Sequence, residues 1–157
     1  MRNFTAVAPQ LWQSRRFAGL PTAEAKLLHL YILTGPHANS GGCYRLPAGY
    51  ACTDLGWSTE IFEAALTALV SAGLIRHDEA NEVLLIEDWF RFCPPQNSNH
   101  LKGTLKVLEA VPGALPQLTM EQAQAAWNAR QGHKAGEKFG ATNGLELTET
   151  NYLQRRA

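Results

Sequence analysis

The chain has 157 residues, 45% of them hydrophobic, and its 14 basic and 14 acidic side chains cancel. That size and apolar content suit one ordinary domain with an appended segment. Zero net charge favours no class of partner. No apolar run of about 18 residues is present, so no membrane span is expected. The opening MRNFTAVAPQLWQSRR lacks the apolar segment of a secretory signal, and three irregularly spaced cysteines make no disulfide framework. A cytoplasmic protein is the expectation.

Residues 10–17, QLWQSRRF, read as a strand or extended arm. Thr22 is a candidate N-cap, because its hydroxyl can accept from an orphan backbone amide. A helix follows from Ala23 to Leu33, apolar nearly all round and therefore expected to be buried. Residues 35–42 are dense in turn formers. Cys43 to Leu46 reads as a short strand, and Pro47 suits the first turn of a second helix that stops at Gly56. Ser58 is the expected N-cap of a third helix, with Glu60 in its first turn. Its apolar face is read as Ile61, Ala65, Leu66, Leu69 and Val70, with Phe62. Gly73 ends it.

Leu74–His77 and Val83–Ile86 then read as two strands of a hairpin, joined by Asp78–Glu82. Trp89, Phe90 and Phe92 are expected to fold back onto the core. Asn97, Ser98 or Asn99 caps a helix to about Ala110, which Pro112 and Pro116 break. Thr119-Met120-Glu121-Gln122 matches a capping box and opens a last helix to about Arg130 that contains Trp127. The expected organisation is residues 1–96 as one domain with an N-terminal arm, 97–131 as a helical extension, and 132–157 as a disordered tail.

Leu27-Leu28-His29-Leu30-Tyr31, Asp54-Leu55-Gly56 and Ala72-Gly73-Leu74-Ile75 carry a resemblance. From about Trp12 to Trp89 the chain resembles winged helix-turn-helix domains of phage replication-organiser proteins and MarR-type regulators. Tyr44-Arg45-Leu46-Pro47 is closest to the phage group. The resemblance implies an α+β fold, a three-helix core plus a β-hairpin wing, with the short helical extension after it. It also implies a non-enzymatic DNA-binding protein of phage or mobile-element type, acting in replication initiation or transcriptional regulation.

In such a fold the third helix enters the major groove and the wing touches nearby backbone. Ser58, Thr59, Glu63 and Thr67 would then face bases, while Arg15, Arg16, Arg45 and Arg76 would hold phosphates. Charge opposes this pose. Between Ser58 and Asp88 the one cation is Arg76, against Glu60, Glu63, Asp78, Glu79, Glu82, Glu87 and Asp88. Phosphate neutralisation needs the opposite balance. Lys102 and Lys106, one helical turn apart, extend the basic set. The alternative reading is a protein-interaction adaptor whose acidic third helix and wing bind a basic surface on a replication or regulatory partner, or face a twin subunit.

Other constellations are weak. Cys43, Cys52, Cys93 and His37 lack the paired spacing of structural zinc and read as single cysteines with a loop histidine. His29 reads as a core residue. No nucleophile elbow and no phosphate-binding loop is present. The expectation is no catalytic residue, no metal and no cofactor. Trp57 is expected between the second and third helices, and Trp127 against the body or a second subunit.

Overall fold

Thr22 opens the first long helix as its position demands: its hydroxyl accepts the Ala25 amide at 3.1 Å. In the computed structural model, which describes residues 5–149 and the side chains of residues 5–132, that helix is α2, Ala23–Thr34. Before it, residues 10–17 form no strand. Pro9, which has no N–H to give a sheet, starts a 3-10 turn through Gln13. Ser14 then caps a four-residue helix α1, Arg15–Ala18, which buries Phe17.

Strand β1 is Cys43–Arg45. Pro47 stands at the start of α3, Ala48–Leu55, and Gly56 ends it at φ 68°, a left-handed conformation suited to glycine. Helix α4 is Thr59–Ser71. Ser58 occupies its N-cap position without capping it; its hydroxyl bonds the Glu60 carboxylate instead. The hairpin forms as expected from β2, Ile75–Asp78, and β3, Val83–Ile86. The sheet is antiparallel throughout, in the order β1-β3-β2, with Tyr44 opposite Leu84 and Ile75 opposite Ile86.

Alternation along the strands gives the sheet two faces. One carries Tyr44, Ile75, Leu84 and Ile86, which join Leu28, Ile32, Phe62, Leu69 and Trp89 in the main core under α2 and α4. The other carries Cys43, Val83 and Leu85, and a second apolar cluster covers it. All four β3 residues are therefore buried.

The cover comes from the C-terminal helices. After the short helix α5, Trp89–Phe92, Asn97 caps α6, Ser98–Glu109, by accepting the His100 amide at 2.8 Å. Leu108 of α6 is fully buried on the outer sheet face, with Val111, Leu115, Leu118 and Met120 around it. Helix α7 runs Leu115–Glu149. It begins before the expected capping box, because Pro116 is tolerated in a first helical turn. Thr119 is thus inside the helix, buried, its hydroxyl donating to the Leu115 carbonyl at 2.7 Å. The helix also continues past Arg130, where the sequence reading ends it; residues 150–157 of the expected tail lie outside the described residues. Trp127 docks on the body, packed against the main core, as Trp57 does.

The described residues thus form an α+β arrangement of seven α-helices and a three-stranded antiparallel sheet, compatible with a winged helix. Among them no helix is long and apolar enough to cross a membrane.

Candidate functional site

Helix α4 buries Phe62, Ala65, Leu66 and Leu69 against the core. Ile61 and Val70, expected on that face, are each 42% exposed instead. At 100° per residue the four buried positions already fill the face toward α2. Ile61 and Val70 fall at the two edges of the outward arc. Between them lie Glu60, Glu63 and Thr67, all exposed. Helix α4 therefore shows solvent an acidic centre with apolar margins and no cation.

Around α4 the sign is the same. From Ala48 to Asp88 the sequence holds eight acids and one base, Arg76. Asp54 on α3 accepts the Tyr31 hydroxyl at 2.6 Å. Burial, together with that carboxylate, pushes the Tyr31 phenol above its usual range. In the hairpin turn, Asp78 accepts the Asn81 side-chain amide at 2.8 Å and the Asn81 backbone amide at 3.2 Å. These bonds hold its carboxyl below the usual range. The Glu60 carboxyl is held down by its bond from Ser58. The Asp78 and Glu60 carboxylates stay ionised at neutral pH.

The ten sequence-designated contact residues are all exposed, but the structure does not gather them. Glu63 and Thr67 lie on the outward face of α4, with Thr59 at its edge and Ser58 ahead of its first turn. Arg45 and Arg76 lie elsewhere: their strand register puts them beside Val83 and Leu85, on the sheet face toward α6 and α7. Each is also held by an acid, Arg45 by Glu82 and Arg76 by Glu87. Arg16 donates to the Gly73 carbonyl at 2.8 Å and to Asp88 at 2.7 Å. Three of the four arginines assigned to phosphate thus neutralise carboxylates of the protein itself. Arg15, Lys102 and Lys106 have no ion pair among the described residues.

The hairpin turn is not free to reach out either. Gly113, in the α6–α7 connection at φ 90°, lies so close that a Cβ there would stand 2.6 Å from the Asp78 carboxylate and 3.0 Å from the Asn81 amide. The sequence carries a signal for this contact: a glycine after Pro112, where only a residue without Cβ fits. It was legible only once the hairpin's position was known.

Among the described residues no group of three or more His, Cys, Asp or Glu side chains could hold a metal ion. Cys43 is buried beside Thr119, and burial pushes its thiol up. His29 is buried at 3% exposure, and its Nδ1 is sealed without a hydrogen-bond partner. Comparison with family models, with curated proteins and with solved structures gives no match, and the reading of the α3–α4 face rests on its own geometry.

Proposed function

We propose that this chain is a non-enzymatic winged-helix adaptor whose acidic α3–α4 face docks on a basic surface of a replication or regulatory protein. The observation that carries this reading is the charge pattern: an α4 face with Glu60 and Glu63 between exposed Ile61 and Val70, on a surface where the one cation of residues 48–88 is already ion-paired. Phosphate would meet repulsion there, because DNA affinity comes largely from cations that displace counterions. A basic protein surface would meet attraction, and the apolar margins supply area for a desolvated contact. The resemblance to phage replication-organiser domains favours a partner in replication initiation.

Direct binding of double-stranded DNA is the second reading, favoured by one observation. Lys102 and Lys106 are exposed, unpaired and one turn apart on α6. In that reading α6 and Arg15 hold the backbone, and α4 stays away from it.

Fluorescence anisotropy separates the two. A labelled Lys/Arg-rich amphipathic peptide and a labelled mixed-sequence duplex are each titrated with the chain across a salt series. The adaptor reading expects peptide binding that the Glu60→Gln/Glu63→Gln variant loses and that duplex DNA does not compete away. Duplex binding with a steep salt dependence, weakened by Lys102→Ala/Lys106→Ala and untouched by the glutamate changes, would replace it with the DNA reading.

A further inference from the structure

A cleft of about 420 Å³ opens between the N-terminal arm, α2, the end of β3 and α5. Its apolar wall is made by Leu11, Leu33, Leu74, Ile86, Trp89 and Phe92. Phe92 was expected to fold into the core, yet it stands 62% exposed at this cleft. An apolar body lying in the cleft would take that ring out of water.

The buried part of the lining points to an uncharged occupant. Arg16 and Asp88 neutralise each other across the cleft's edge, Glu87 is held by Arg76, and the exposed Arg91 lies over the Phe92 ring, 5.7 Å from its centroid. The buried polar side chain left unsatisfied is His29, which lines the cleft and has no hydrogen-bond partner among the described residues. Burial holds its imidazole down to about pKa 4, so the ring is neutral at pH 7 and carries one proton. Nδ1 is sealed, and a sealed N–H with no acceptor is costlier than a sealed lone pair. The proton therefore belongs on Nε2, the one ring nitrogen a molecule in the cleft can reach.

We infer that this cleft is a binding site for a small, uncharged, mostly apolar carbonyl compound, whose oxygen accepts the His29 Nε2–H while its body covers Leu33 and Phe92. The cleft's volume lies in the range of small-molecule sites, and one placed polar group in an apolar wall is their usual construction. The site is independent of the α3–α4 face, and its occupant differs in kind from the macromolecular partner proposed there.

The test uses an environment-sensitive probe of this class, 6-propionyl-2-dimethylaminonaphthalene, with the full chain at pH 7. Its emission should shift to shorter wavelength on saturable binding. The propyl analogue that lacks the carbonyl should bind about five- to tenfold more weakly, the value of one hydrogen bond to a buried donor. His29→Phe, which keeps a ring in the core, should bring the two affinities together, and Phe92→Ser should weaken both. A circular dichroism spectrum of each variant shows that it folds. Absence of a saturable shift with the unaltered chain overturns the proposal. So does equal affinity for the two probes, or a carbonyl preference that survives His29→Phe.

Discussion

The two faces of the small sheet are built from the same strands but make different structures. The inner face joins a core to which all seven helices contribute, Leu101 of α6 and Ala123 of α7 among them, and in which Leu28, Ile32 and Leu69 are fully buried. The outer face makes a cluster of four buried residues, Cys43, Val83, Leu85 and Leu108, closed by α6 and the start of α7. A hairpin whose role is to touch another molecule keeps one side open. Here both sides are closed and the turn is in contact with Gly113. The free surface of the protein is displaced onto α3 and α4, and that is why the acidic helix face, rather than the hairpin, carries the proposed interaction.

The inner face should carry the larger energies. Leu28→Ala should cost about 4 kcal/mol, the upper range for a fully buried leucine, and should lower the stability of every element together in chemical denaturation. Leu108→Ala should cost about 3 kcal/mol, with a different signature. Hydrogen exchange should quicken in α6 and α7 while α2 stays protected. Uniform loss of protection would show that the two faces are one cooperative unit.

Acid should act on the inner face through His29. His29 binds a proton in the unfolded chain below its ordinary 6.5 but not in the folded chain until about 4. Its contribution is complete above pH 6.5 and is lost as pH falls toward 4. The unfolded state binds more protons in that window, so unfolding free energy should drop there by about 2–3 kcal/mol at roughly 1.4 kcal/mol per unit. Denaturation curves between pH 7 and 4 measure this. His29→Phe should flatten the slope, and Leu108→Ala should leave it.

The smallest effect tests the outer seam. Gly113→Ala should cost about 1–2 kcal/mol, because alanine is strained at a positive φ and its methyl would press on Asp78. A larger loss than from Leu108→Ala would make the turn contact, not the apolar cluster, the main tie between hairpin and α6–α7.

Much of the inner face was legible in the sequence. Thr22, Gly56, Gly73 and the alternation of apolar runs mark element ends through local chemistry, and α2, α3, α4 and the hairpin follow from them. Val83-Leu84-Leu85-Ile86 even announces burial on both sides, since a continuous apolar run has no solvent face. The outer face was less legible. Thr119 looks like a cap because its neighbours satisfy a local rule, while its real setting depends on Cys43, distant in sequence. Ile61 and Val70 look like core because periodicity does not say how wide the buried arc is. The arginine pairings were invisible for the same reason: Arg45 with Glu82 and Arg16 with Asp88 join positions 37 and 72 residues apart. Only the fold brings them together, and they decide which cations remain to meet a partner.

The doubly covered strand also sets how the chain can be cut. A fragment ending near residue 96 keeps every residue of the hairpin but strips the cover from Cys43, Val83 and Leu85. It would present a flat apolar patch with a thiol at its edge, prone to self-association. The α6–α7 pair acts in this sense as a built-in chaperone for the sheet, and a fragment meant to carry the acidic face alone would have to bring that pair with it.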